Sequence, residues 1–195
     1  MLYSLARFLL SLYYCFFYRI KVISHENIPE TGGFVLCSNH SSLNDPIILA
    51  IALKRQISFV GKKELFKNKI FGFLLKKVNV IPVDRETADM TTFKTVISEL
   101  RKGKCIGIFA QGTRIKEIDA NGAKAGVALF ALKGNAPIIP VCISATYKHF
   151  SKVYVNIGKP MPLDEYKGAK IRTDGLNEIT KSVMNTILDL EIKGI

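Results

Sequence analysis

The sequence predicts an α/β fold with a mixed, mostly parallel central sheet covered by helices, and a hydrophobic helix at its N-terminus. Three observations carry this expectation. From residue 18 onward, short runs rich in β-branched and aromatic residues alternate with helical stretches, the pattern of strands joined by crossover helices. Around 88–102 the apolar residues Met90, Phe93, Val96, Ile97 and Leu100 recur at three- and four-residue spacings, with Gly103 as a stop. Ahead of everything, residues 2–18 read LYSLARFLLSLYYCFFY, with Arg7 the one charge.

That first segment sits at the short end of what spans a bilayer, roughly 17–25 residues. It lacks a basic leader and a small-residue cleavage site, so a secretory signal is a poor fit. Its apolar residues do not keep to one stripe, and its Tyr and Phe residues with the flanking Arg19 and Lys21 suit an interfacial anchor. Residues 1–20 are therefore expected as a membrane-associating helix, either lying in the bilayer interface or spanning it, with a helix packed into the core as the alternative, and 21–195 as the domain that follows. Strands are expected at 18–23, 34–37, 57–60, 78–83, 105–109, 138–144 and 153–157. Helices are expected at 46–53, opened by Pro46, and at 69–77, 88–102, 123–132 and 176–192. In sheets of this kind functional groups gather on the loops after the strands.

Composition narrows the classes. With 195 residues, 48% of them apolar, the chain supports one domain with a real core and excludes a disordered tail. Lys and Arg total 28 against 16 Asp and Glu, a net charge of +12, which points to an anionic partner: nucleic acid, anionic lipid or a phosphorylated substrate. Cys15, Cys37, Cys105 and Cys142 each stand alone in an apolar run and are expected as buried free thiols. No zinc-type Cys/His spacing and no G-x-S-x-G elbow is present.

Four segments follow strands. In Ser38-Asn39-His40-Ser41-Ser42-Leu43-Asn44-Asp45-Pro46, a carboxylate at Asp45 can accept one imidazole N–H of His40, fix its tautomer and leave the other nitrogen as a base. With no fixed nucleophile beside it, the attacking hydroxyl would come from a substrate; the alternative is a loop histidine and a helix-capping aspartate. Ile81-Pro82-Val83-Asp84-Arg85 is a strand ending in arginine. It follows a stretch from Lys54 to Lys77 in which eight basic residues and the lone Glu64 interleave with Phe66, Ile70, Phe71, Phe73, Leu74 and Leu75. Such a stretch reads as a membrane-facing patch or, less well given its aliphatic content, as a nucleic-acid platform. Phe109-Ala110-Gln111-Gly112-Thr113-Arg114 runs from a strand into a turn whose N–H groups and Arg114 can meet phosphate. Ile139-Pro140-Val141 lies in an apolar run bracketed by prolines and reads as a buried strand.

Taken in this order, the four segments resemble the glycerolipid acyltransferase family, with its N-H-x-x-x-x-D block, I-P-V-D-R-like strand, F-P-E-G-T-R block and V-P-V-like strand. The resemblance covers roughly residues 34–145. It implies transfer of a fatty acyl group from an acyl carrier protein or coenzyme A thioester to the sn-2 hydroxyl of lysophosphatidic acid, making phosphatidic acid for phospholipid biosynthesis. It further implies His40 as base with Asp45 orienting it, Arg85 and Arg114 on the acceptor phosphate, and Gly112 and Thr113 shaping the turn. Lys62 and Lys63 would assist with phosphate or oxyanion charge, and Pro140 would border the acyl-donor site. No metal or redox cofactor is implied, and the partners are the lipid bilayer, at the cytoplasmic face of the cell membrane, and acyl carrier protein, with no nucleic acid. One block departs: Gln111 stands where the family has Glu, and Ala110 where it has Pro, which bears on acceptor preference more than on reaction class. Open alternatives are a different lysophospholipid or glycerol-3-phosphate as acceptor, or an inactive membrane-binding module.

Overall fold

The computed structural model describes residues 2–84, 90–114, 120, 124–166 and 171–194. Helix α1 (Leu2–Phe17) leads into β1 (Arg19–Ile23), and β2 (Phe34–Ser38), α2 (Asp45–Ala52), β3 (Ile57–Lys62), α3 (Lys69–Lys77) and β4 (Ile81–Val83) follow. Then come α4 (Met90–Arg101), β5 (Cys105–Phe109), α5 (Gly126–Gly134), β6 (Ile138–Ala145), β7 (Lys152–Ile157) and α6 (Thr173–Asp189). The strands form one seven-stranded sheet in the order β1-β7-β6-β2-β5-β3-β4. Every neighbouring pair is parallel except β6 with β7. The mixed, mostly parallel sheet expected from the sequence is what forms.

The middle of the sheet is apolar on both faces. β2 alternates Phe34 and Leu36 toward a cluster shared with α1 and α2, and Val35 and Cys37 toward a cluster shared with α4, α5 and α6. Helix α6 shows why it covers that second face: Leu176, Ile179, Val183, Met184 and Ile187 recur at helical spacing and are all buried. This distribution follows from chain order. β2 to β3 steps across the sheet in one direction and places α2 on one face. β4 to β5 and β5 to β6 step back, and right-handed crossovers then place α4 and α5 on the opposite face. Adjacent strands β2 and β5 therefore send their exit loops to opposite faces, opening a crevice between their C-terminal ends.

Several boundaries differ from expectation, each for a local reason. The run 78–83 was expected as strand throughout, but only Ile81–Val83 pairs. Val78 and Val80 instead close helix α3, donating to Leu74 O (3.0 Å) and Leu75 O (2.9 Å), with Asn79 between them in the left-handed region at φ 62°. Helix α6 starts at Thr173 and stops at Asp189, three residues before the expected end. The expected starts of the helices at 88 and 123 lie outside the described residues. Cys37, Cys105 and Cys142 are buried free thiols; burial pushes Cys37 up to about 12 and Cys142 up to about 11, leaving both inert. Cys15 is free but exposed, because it lies on the outer side of α1.

The N-terminal segment is a helix of 16 residues, and among the described residues no helix is long and apolar enough to cross a membrane. Among the described residues, the span expected as one form of the anchor is therefore not found. Helix α1 packs on α2 instead. Its Tyr14 is buried, and Arg7 Nη1 donates to Leu53 O (3.2 Å) and Lys54 O (3.0 Å) at the C-terminal end of α2, where a cation complements the helix dipole. The expected division after residue 20 falls inside β1, which pairs with β7 from Arg19 to Ile23.

Gly107 in β5 has a packing role: a Cβ there would lie 2.6 Å from two ring carbons of Phe59 and 2.7 Å from Ile57 Cγ2. Gly107→Ala should destabilise the fold by about 1–3 kcal/mol through overpacking. In thermal unfolding this reads as roughly 2–4 °C lost per kcal/mol.

Candidate active site

The C-terminal ends of β2, β5, β3 and β4 lie side by side and point the same way, so their exit loops form one row. Register sets the neighbours: Ser38 of β2 is opposite Phe109 of β5, and Lys62 of β3 is opposite Val83 of β4. The loop carrying His40 thus adjoins the turn 109–112, and Lys62 and Lys63 adjoin Asp84. Residues far apart in the chain meet at the crevice and along the edge next to it.

His40 is held on three sides. Before it, Asn39 extends the β2–β6 ladder with its side chain: Nδ2 donates to Ile143 O (2.9 Å) and Oδ1 accepts from Ile143 N (2.8 Å). One face of the imidazole stacks on Phe109, with centroids 4.0 Å apart and planes 18° from parallel, and Phe109 stacks in turn on Phe59 at 5.8 Å. Below it, Nδ1 meets Asp45 Oδ2 at 2.8 Å.

Asp45 is fully buried and completely hydrogen-bonded. Oδ2 also accepts the backbone N–H groups of Ser41 and Ser42, both at 2.7 Å, and Oδ1 accepts the Tyr147 hydroxyl at 2.5 Å. The capping alternative is therefore not realised: Asp45 is the first residue of α2 and points back into the preceding loop, and the N-cap residue, Asn44, makes no side-chain cap bond. This donor set compensates the burial of the carboxylate. Acting as acceptor, the carboxylate requires Nδ1 to carry a proton, so Nε2 presents its lone pair. Among the described residues none bonds to Nε2. The neighbouring serines are not aligned as nucleophiles: Ser42 Oγ accepts from Asn44 N (3.2 Å), and Ser41 is exposed with no bond to the ring.

The turn after β5 closes with Gly112 N donating to Phe109 O (2.9 Å), and Gly112 adopts φ 67°, open to glycine and strained for side chains with a Cβ. Gln111 is buried, whereas Thr113 and Arg114 are exposed past the turn. Lys124, not singled out in the sequence, lies against this turn; its backbone N–H donates to Ala110 O (3.2 Å). Lys62 and Lys63 are exposed and lie 3.6 Å from Glu64 and 3.8 Å from Asp84, pairs that weigh little in water. Arg85 lies outside the described residues. A cavity of about 260 Å³ beside the turn is lined chiefly by Val60, Val83, Ile108, Val127 and Phe130, with Gly112 and Lys124. Pro140 lies elsewhere, buried in β6 opposite Cys37.

Phe109, Phe59, Asn39 and Tyr147 carry roles that residue types did not reveal. Phe109 and Asn39 stand inside blocks the sequence did mark; Tyr147 belongs to no such block.

An imidazole oriented by a buried carboxylate thus sits beside an exposed basic edge and an apolar cavity at the strand ends of an α/β sheet, an arrangement suited to acid–base chemistry on a bound group. Comparison with known proteins sharpens this: residues 19–144 match the Acyltransferase family model, and the chain belongs to that family. It is 36% identical over 180 residues to the 1-acyl-sn-glycerol-3-phosphate acyltransferase of Bacillus subtilis (strain 168), covering 89% of each chain. It is 30% identical over 178 residues to the enzyme of the same name from Streptococcus pneumoniae (strain ATCC BAA-255 / R6), covering 86% of this chain and 65% of that one. The fold matches the crystal structure of the 1-acyl-sn-glycerophosphate acyltransferase PlsC from Thermotoga maritima with a TM-score of 0.70 at 21% identity, over 98% of this chain and 81% of that one.

Asp45→Asn tests the dyad. Removing the carboxylate charge disfavours the imidazolium formed during proton transfer, so kcat should fall by about 10²-fold or more. The acid limb of the pH–rate profile, set by a base that must be neutral, should move to lower pH. Steady-state kinetics from pH 5 to 8 would show both.

Proposed function

We propose that this chain moves a fatty acyl group from a thioester to the sn-2 hydroxyl of lysophosphatidic acid, producing phosphatidic acid. The observation that carries the reading is the His40–Asp45 pair at 2.8 Å, with Nε2 open and no aligned nucleophile among the described residues. Such a base serves an attacking group brought by a substrate. The names of the relatives supply the acceptor and the place in phospholipid synthesis.

The chemistry balances with these residues. Nε2 takes the hydroxyl proton as the oxygen attacks the thioester carbonyl. The tetrahedral intermediate collapses with cleavage of the C–S bond, and the imidazolium returns its proton to the departing thiolate. Proton transfer by a positioned base contributes about 10²–10⁴-fold; holding both substrates in place supplies the rest. Arg114, Lys62 and Lys63 border the position of the acceptor phosphate, with Arg85 added by the family resemblance. Gln111 offers an uncharged amide where the family resemblance expects a carboxylate. The thioester carrier is acyl carrier protein or coenzyme A, and no metal or redox cofactor takes part.

The reading places the enzyme on the cytoplasmic face of the cell membrane, with α1 lying in the interface. Leu5, Phe8, Leu9, Leu12, Tyr13 and Phe16 are exposed along α1, Phe16 at 71%. Helix α3 adds a second apolar and basic contact: Ile70 is 78% exposed, Phe73 is 58% exposed, and Lys76 and Lys77 close the helix. Because β3 to β4 continues in the direction of β2 to β3, a right-handed crossover sets α3 on the sheet face that carries α1 and α2. One face then meets lipid, with lysines placed for anionic headgroups.

Product formation from lysophosphatidic acid and a long-chain acyl thioester should be lost by a factor of about 10²–10⁴ in His40→Ala. Arg114→Ala should mainly raise KM for the acceptor. Product from both wild type and His40→Ala would remove the histidine from the mechanism, and no product from folded wild type with either carrier would overturn the acceptor assignment. In sedimentation with anionic vesicles, the double variant Phe8→Glu/Leu12→Glu should lower the bound fraction at least tenfold. Unchanged binding would dismiss α1 as the docking helix.

A further inference from the structure

The loop between β6 and β7 carries a group that the mechanism above leaves without a role. Tyr147 donates its hydroxyl to Asp45 Oδ1 at 2.5 Å, on the side of the carboxylate opposite His40. It does so from the left-handed region, φ 54°, a backbone state that an aromatic residue rarely adopts and that a fold keeps only where surrounding contacts enforce it. Those contacts are in place. The Tyr147 ring stands edge-on to Tyr18 with centroids 6.1 Å apart, Tyr18 stacks on Tyr14 at 5.5 Å, and the Tyr14 hydroxyl donates to Asn44 Oδ1 at 2.8 Å, one residue from Asp45. The end of α1 thus supports the dyad at two points.

We infer that Tyr147 is a positioning residue for the catalytic pair: its hydroxyl locks the rotation of the Asp45 carboxylate and shares its charge, setting how strongly His40 holds a proton. The inference rests on the reading of His40 as the base. Burial, and then the charge of Asp45, hold the Tyr147 phenol well above its ordinary value, so it remains a donor throughout any assay range. Among the described residues, Tyr18 and the Tyr14 ring stacked on it also face it, through ring contacts rather than a charge. The hydroxyl therefore draws charge from Oδ1 without competing for the proton on Nδ1. Without it, the carboxylate charge falls more fully on the imidazolium side.

The test is the proton titration of His40 followed by NMR of its ring, with the signal assigned by its absence in His40→Gln. In Tyr147→Phe, which keeps the ring packed against Tyr18, the titration midpoint should rise by about half to one unit. The acid limb of the rate profile should move up with it, and kcat should fall about tenfold with KM for the acceptor unchanged. Placing 3-fluorotyrosine at 147, a stronger donor, should move the midpoint down. A midpoint that stays at the wild-type value in both variants, with folding retained, overturns the inference, as does loss of turnover with no change in either profile. If the midpoints move as expected while wild type makes no phosphatidic acid, the positioning role stands and the acceptor reading fails. Product formation with unmoved midpoints has the reverse meaning.

Discussion

A single buried carboxylate ties the site together. Asp45 accepts from His40, from the backbone of Ser41 and Ser42, and from Tyr147, so the loop after β2, the start of α2 and the loop between β6 and β7 converge on its two oxygens. An uncompensated charge in that position would cost several kcal/mol, and each donor therefore contributes both to stability and to geometry. The loop that carries the base cannot drift while those bonds hold, and the base cannot turn over while Nδ1 is committed. Stability and function draw on the same contact.

The sheet explains why this contact lies at an open crevice. Parallel β2 and β5 are neighbours whose crossovers leave toward opposite faces, and the crevice between their ends receives His40 from one loop and the Gly112 turn from the other. Aromatic stacking then sets the tilt of the imidazole through Phe109 and Phe59, and Gly107 provides the room Phe59 needs. Beyond the crevice the same row of strand ends carries the lysines of β3 and its following turn. In the proposed reaction, a phosphate at that edge would keep an attached hydroxyl near the imidazole at the crevice.

Helix α1 has two unlike sides. Its inner side is part of the protein: Tyr14 in the core, Arg7 on the end of α2, Tyr3 accepting from Ile57 N at 3.3 Å. Its outer side is a continuous apolar strip that water does not favour. A helix whose one charge is occupied by another helix's carbonyls is suited to lie along a surface. Through Tyr14 it also touches the loop that carries His40, so the helix proposed to meet lipid and the loop proposed to perform chemistry share a wall.

Much of this was readable in the residues. Strand and helix order follows from periodicity, because side-chain alternation is a local property, and His40 with Asp45 was recognisable from a five-residue spacing that a single loop can close. The sequence by itself determined the α/β class, the pairing of His40 with Asp45 and the turn segments after the strands. What it left open depended on contacts between distant segments. Val78 and Val80 look like strand, yet a left-handed Asn79 lets them close a helix. Arg7 looks like a flaw in an apolar span, yet it caps α2 across 46 residues of chain. Tyr147, 102 residues from Asp45, belongs to no local pattern. Only the tertiary structure decided its role, because hydrogen bonds and ring stacking act over a few ångströms of space, whereas sequence patterns register only neighbours along the chain.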